Sequence, residues 1–505
     1  MPNRGDRALD DLARAVVDGG FGLRELDPVN LDVKPGMAES WKITNDGKTY
    51  TFKLRKNLKW SDGTPITSAD FVYSWRRVVN PKTASENSYM LGFIKNGNEI
   101  ATGKLKNIEA LGVNAPTPDT LVVDLVGPTP FFLALTAHQS HFPTPKKAIE
   151  KFGNQWTRPE NIITSGPYKL AEWKINKLIR IVPREHYWDN KKLEITEAVF
   201  HPIEDLNTEE KAFQSGQIQL TDKVPTTKIP GFRKQKEGDP NHPFRIDPYL
   251  GSYFFRFNTT RKPLNDARVR RALSLVIDRK LITEKVTLGG ETPAPSLVPP
   301  ETAGYTYDGP SFPASPTEAD IAEAKKLLSD AGYPNGQGFP KLEILYNTLE
   351  SHKKLCLAIQ QIWKDKLGIS VGLLNQEWKV FQSKLTALDY DIARAGWIAD
   401  YNDPEGFLGI FQTGGGNNQT GWSNKDYDRL LGEANQTVDK AKRFEILKNA
   451  EKTLNAEAPI MPIYYYTRPR LVSPKLQIVK ETGEKIPWRS NIQGQLYLKH
   501  VALAD

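Results

Sequence analysis

The chain has 505 residues, 39% of them hydrophobic, and carries 68 Lys and Arg against 60 Asp and Glu, a formal charge of +8. That length exceeds what one compact core fills, so two or three domains are expected. The basic residues are interleaved with acidic ones, which argues against a nucleic-acid patch; the single cysteine, Cys356, excludes an internal disulfide and a Cys-based zinc cluster; and no run of eighteen apolar residues is present to span a bilayer.

The N-terminal stretch "MPNRGDRALDDLARAVVDGG" has neither the continuous apolar core nor the small-residue cleavage site of a signal peptide. From Ser40 to Arg55, apolar and polar residues alternate around "NDG", the pattern of a β-hairpin. A helix follows after "KWSDGTP", capped by Thr67 or Ser68, with Asp70 in the first turn where the helix dipole favours an anion. Further alternating strands recur in "NIEALGVNAPTPDTLVVDL" and "GPYKLAEWKINKLIRIVPREHYW", so the first half reads as α+β with antiparallel hairpins.

The second half changes pattern. Leu342 to Tyr346 is a strand, the stripe Leu355, Ala358, Ile359, Ile362 and Trp363 is helical, Gly368 stops the helix, and "ISVGLL" is a second strand. This is a βαβ unit, so the two strands pair in parallel. A helix around "EWKVFQSKL", a strand at "DIARAGW" and a return through "APIMPIYYYTRPRLV" complete the pass. Eleven Trp, eighteen Tyr and twenty-one Phe exceed what a core needs and suit a ligand surface.

The stretch Arg394 to Phe407, "RAGWIADYNDPEGF", gathers the most chemistry. Asp403 precedes Pro404 and Glu405, the pattern of an N-cap with proline in the first turn, so its role is structural. Asp400 has two readings: a ligand-binding carboxylate beside Trp397 and Tyr401, or a turn residue bonded to nearby backbone. Arg394, six residues earlier, shares a strand face with Asp400, so the pair could hold the two ends of a zwitterion; a surface arginine is the other reading.

Enzyme signals are weak. Ser351 and Lys354 fit S-x-x-K without the companion motifs of such hydrolases, a spacing that chance supplies in a chain of this length. His138 and His141 have no acidic or cysteine third ligand nearby, so they read as packing residues and no metal or cofactor is expected. "QTGGGNNQTGW" lacks the Lys-Ser/Thr of a phosphate loop and reads as a flexible surface loop.

"KWSDGTPITSADFVYSW" resembles a signature segment of the oligopeptide- and dipeptide-binding receptors of bacterial ABC importers. So do "NIITSGPYKL", "YWDN", "LNDARVRRALSLVIDR", "NQEWK", "RAGWIADYNDP" and "PIYYYTRPRLV", in the right order from about Pro28 to near the C-terminus. The resemblance implies a mixed α/β, three-lobed Venus-flytrap. Lobe I would comprise 1–33, 159–248 and 475–505, an inserted lobe II 34–158, and lobe III 249–474. Such receptors are not enzymes. They enclose short extended peptides by main-chain pairing, which serves any side chain, and present them to membrane permease subunits, in the periplasm or at the outer face of the cytoplasmic membrane, as monomers.

By the same resemblance Asp400 holds the ligand's α-ammonium, backbone from Gly396 through Ile398 to Ala399 pairs with the peptide, and Trp397 walls the pocket. Arg394 and His352 match anchors for ligand carboxylates, and Tyr253 joins the site. Three departures stand out. Met1 to Gly22 does not resemble the segment with which relatives begin. Lys384 is out of register with a second basic anchor. Positions that form a disulfide in some relatives are Gly251 and Ile398 here. Alternatives are a receptor of the same fold for a cell-wall peptide, nickel complex or sugar, and a serine hydrolase using Ser351.

Overall fold

The computed structural model describes residues 22–504 except Glu86 and Gln495. The atypical segment Met1–Gly22 therefore lies, but for Gly22, outside the described residues. After a two-stranded ribbon of β1 (Arg24–Leu26) and β2 (Val33–Pro35), strands β3 (Ala38–Thr44), β4 (Thr49–Leu54), β5 (Val113–Thr117) and β6 (Thr120–Asp124) form an antiparallel sheet in the order β3-β4-β6-β5. The expected hairpin is β3–β4. Helix α1 (Ser68–Val79) closes its core. Thr67 and Asp70 form a reciprocal capping box at its start, and Phe71, Trp75 and Val79 are its buried stripe.

Strands β7 (Tyr168–Lys174), β8 (Leu178–Pro183) and β9 (Ala198–Phe200) form a second antiparallel sheet. At the far end of the chain β16 (Leu476–Val479), β17 (Lys485–Pro487) and β18 (Val501–Leu503) form a third. The two share one core, in which Tyr168, Ile179 and Ile181 pack with Leu476 and Val501. The chain thus leaves this body and returns to it.

The excursion is a mixed six-stranded sheet: β10 (Phe244–Phe257), β11 (Thr292–Pro293), β12 (Leu342–Asn347), β13 (Val371–Gln376), β14 (Ile392–Ile398) and β15 (Ile460–Leu471), ordered β11-β15-β10-β14-β12-β13. The βαβ unit is present as anticipated. Helix α2 (Glu350–Leu367) joins parallel β12 and β13, and Gly368 ends it with φ 70°, a left-handed conformation that glycine adopts without steric cost. On the sheet face away from α2 lie α3 (Trp378–Thr386), which follows β13, and α4 (Lys425–Gln436) and α5 (Lys440–Glu457).

Strands β10 and β15 cross between bodies. Their outer ends, Phe244 and Leu471, belong to a small core with Val224, Ile229 and Phe232, whereas Tyr253, Met461 and Ile463 belong to the core of the large sheet. Between them the pairing slips: Pro248 faces Thr467, but Ser252 faces Tyr465. Extra residues in one strand bend the ladder there.

One buried group of α5 sets a pH dependence. Glu451 is fully buried, accepts from Val298 N (3.0 Å) and Tyr305 Oη (2.8 Å), and burial pushes its carboxyl up to about 7. A raised carboxyl pKa means that the folded state holds a proton the unfolded state has released, so stability is lost as pH rises from about 4.5 to about 7. At ~1.4 kcal/mol per pH unit the change is roughly 3 kcal/mol. Urea unfolding of wild type and Glu451→Gln at pH 5 and pH 8 should show the wild type losing that much more between the two; equal losses would exclude Glu451 as the source.

Candidate functional site

Strand β14 carries most of the sequence-predicted site. One edge pairs with β10 along its whole length, Gly251 opposite Ile398 and Tyr253 opposite Gly396. On the other edge β12 is in register only with Ile392 and Ala393, so among the described residues Arg394 to Ile398 have no strand beside them. That leaves main-chain donors and acceptors free to take an added strand. Tyrosines of β10 and β15 cover the sheet face at Gly396. Tyr253 stacks on Tyr464 at 4.9 Å, and Tyr466 meets both edge-on. A Cβ on Gly396 would collide with the Tyr466 hydroxyl, so only glycine lets the ring come this close.

Arg394, Gly396 and Ile398 alternate onto one face of β14. Arg394 donates from Nε to Asn347 Oδ1 at 2.6 Å, and its guanidinium lies 5.3 Å from the Phe381 ring and 5.8 Å from Trp378. His352, in the first turn of α2, has its Nδ1 3.1 Å from Tyr253 Oη. Trp397 projects from the other face and donates from Nε1 to Gly406 O at 2.8 Å. Ala399 continues the ladder, its N donating to Leu250 O at 3.0 Å. Lys384, out of register with the second basic anchor of relatives, is tied to Asp389 at 2.5 Å on the surface.

Asp400 lies just past the strand, so the shared strand face proposed for it and Arg394 is interrupted, and among the described residues the two have no common hydrogen-bond partner. The Tyr89 hydroxyl donates to Asp400 Oδ2, and His138 Nε2 is 3.9 Å from Oδ1. Because Ser140 N–H donates to His138 Nδ1 at 3.2 Å, that nitrogen is the acceptor and a neutral ring carries its hydrogen on Nε2, towards Asp400. Burial lowers the His138 pKa against the raising effect of Asp400, which keeps the ring neutral at pH 7. Among the described residues no lysine or arginine lies within ion-pair distance of Asp400, and its side chain stays 31% exposed. It is a carboxylate supplied with neutral donors and still open to a cation.

Sequence reasoning missed Tyr89 and took His138 for a packing residue. Neither carries a local signal: Tyr89 is 311 positions from Asp400, and the neighbours of His138 in sequence offer no acidic partner for it. His141 is a packing residue, fully buried against Trp75. The glycine-rich stretch is a correction. Asn418 Nδ2 donates to Phe411 O, Gln412 O and Trp422 O, and Thr420 is fully buried, so Asn418 knits the supposed flexible loop into a bonded turn. Ser351 and Lys354 are exposed on α2, without the shelter a nucleophile needs.

A cavity of about 270 Å³ adjoins Asp400, between Leu26, Leu31 and Val33 on one side and His138, Tyr401 and Asn402 on others. Of the predicted residues only Asp400 lines it. A larger open cleft of about 550 Å³ lies elsewhere, between the helices Leu206–Gln214 and Ile229–Gly238, and includes none of them.

Comparison with known proteins decides the family. The profile of the bacterial extracellular solute-binding proteins, family 5, matches residues 32–419. The chain belongs to that family. It is therefore a solute-binding receptor and not an enzyme. The periplasmic oligopeptide-binding protein OppA of Salmonella typhimurium is 42% identical over 443 residues, 87% of this chain and 80% of the relative. The solved structure of the Escherichia coli murein tripeptide binding protein MppA superposes with a TM-score of 0.83 at 37% identity, covering 97% of this chain and 94% of the other. An unliganded open form of MppA gives 0.77, covering 97% and 92% at 38% identity. Haemophilus influenzae OppA in complex with RPPGFSPFR gives 0.81, covering 97% and 94% at 34% identity. The mixed α/β architecture is that of these binding proteins.

Proposed function

We propose that this receptor encloses a short extended peptide along the open edge of β14, holds the α-ammonium at Asp400, and delivers the peptide to the permease of an ABC importer on the outer side of the membrane. The observation that carries the reading is that, among the described residues, the edge from Arg394 to Ile398 is unpaired and leads directly to a carboxylate with no lysine or arginine beside it. Burying that carboxylate under a ligand is costly unless the ligand brings the cation. Arg394, with His352 beside Tyr253, offers the opposite charge for a ligand carboxylate. Trp397, Gly396, Ile398 and Ala399 supply the wall and the main chain. Acting as a monomer, the receptor closes by bending where β10 and β15 slip in register; the core shared by β7–β9 and β16–β18 supports a discontinuous lobe I.

The test is calorimetric titration of protein unfolded and refolded to strip carried-over ligand. Free tri- to pentapeptide pools should bind, and the same pools N-acetylated should not. Equal binding of both would remove the amine anchor; binding of neither would remove the peptide reading.

A further inference from the structure

We propose that Phe131 and Tyr401 form a clasp between the body of β3–β6 and that of the six-stranded sheet, which couples occupancy of Asp400 to closure. The ligand half of this inference rests on the peptide reading above.

Tyr401 follows Asp400 directly, yet it is buried in the core of the other body. Every other buried member of that core comes from Leu23 to Tyr187. Its ring stacks on Phe131 at 5.3 Å with the planes 8° apart, and Phe93 meets the far side of Phe131 edge-on at 5.0 Å. Both residues of the stacked pair are buried, at 4% and 7% exposure. The Arg443 guanidinium of α5 lies 5.1 Å from the Phe131 ring, and the Tyr401 hydroxyl donates to buried Glu405. Aromatic contact therefore holds the residue next to the amine anchor from one side and polar contact from the other.

The approach to this contact is built to fit. Thr129 N donates to Asn435 O at 3.2 Å across the two bodies, and Thr129 holds φ 42°, a left-handed conformation that a β-branched residue keeps only where its surroundings impose it. Gly127 packs on the amide end of the Gln436 side chain. Tyr89 and His138, which reach Asp400, come from the same body as Phe131. A ligand that fixes Asp400 fixes the approach of Tyr401 to Phe131, and opening would expose both rings.

Val126 and Val438 are 57% and 66% exposed on the two sides of the clasp, and Cys356 is fully buried, so a double cysteine variant takes spin labels at the two chosen positions. Distances are measured by pulsed electron resonance with and without a free-amine pentapeptide pool, in the wild-type background and in Phe131→Ala and Phe131→Leu. Wild type should give one short distance with peptide. Phe131→Ala should remain broad and longer, and should release peptide at least ten-fold faster while still rejecting acetylated pools; Phe131→Leu, which fills the space without stacking, should lie between. Unchanged distances and release rates in both variants would overturn the clasp. Should Phe131→Ala fail to melt cooperatively, Phe131→Leu alone decides by the same criteria. If the wild type binds no peptide, the peptide reading fails separately, and the ligand-free distances decide the clasp: longer in the variants upholds it, unchanged removes it.

Discussion

Asp400→Ala is expected to weaken binding of free-amine peptides by ~3 kcal/mol, about two decades in Kd, and to leave the weak binding of N-acetylated peptides nearly unchanged. The figure is the middle of the range for truncating one partner of a buried, hydrogen-bonded charge pair, roughly 2–5 kcal/mol. Most of it is the penalty for enclosing an ammonium that nothing compensates. Tyr89 and His138 cannot substitute, because both present hydrogen-bond donors to Asp400. Asp400→Asn separates charge from shape. It keeps an acceptor for the Tyr89 hydroxyl and so preserves the local packing, but lacks the anion, and should lose nearly as much affinity as alanine. Titration of all three proteins with matched free and acetylated pentapeptides measures this; an asparagine variant binding like wild type would show that Asp400 works as a hydrogen-bond acceptor and not as a charge.

The parts of this molecule legible from sequence are those fixed within a few residues. Thr67 and Asp70 are three apart and form the capping box that their identities announce. Gly368 ends α2, and the strands on either side pair in parallel because a helix lies between them. Asp403 accepts from Glu405 N at 2.9 Å, the local role expected of it before proline. What sequence could not supply depends on contacts between bodies. The shared face of Arg394 and Asp400 required the strand to continue six residues, and it ends at Ile398. Tyr89, His138 and Phe131 acquire their roles only when one body meets another. The glycine-rich stretch misled for a related reason: the two N–H groups of the Asn418 amide are shared among carbonyls that composition alone leaves looking free.

Arg443 gives the largest expected effect on stability. Asp403 and Arg443 are 8% and 3% exposed and joined by two hydrogen bonds of 2.7 and 2.8 Å, so each neutralises a charge that water does not reach. Arg443→Leu leaves the Asp403 carboxylate buried without a cation, beside the buried Glu405, and should cost ~3–5 kcal/mol in urea unfolding. The substitution also removes the cation facing Phe131. Adding Asp403→Asn to Arg443→Leu removes the orphaned charge while keeping an acceptor for Glu405 N, and should return a large part of the loss. A double variant no more stable than Arg443→Leu would mean that the cost lies in packing around Phe131 and α5. A double variant recovering ~2 kcal/mol or more would assign it to the unpaired carboxylate. The second result is expected, because removal of charge restores what desolvation took, whereas the leucine side chain fills only part of the space left by the arginine stem.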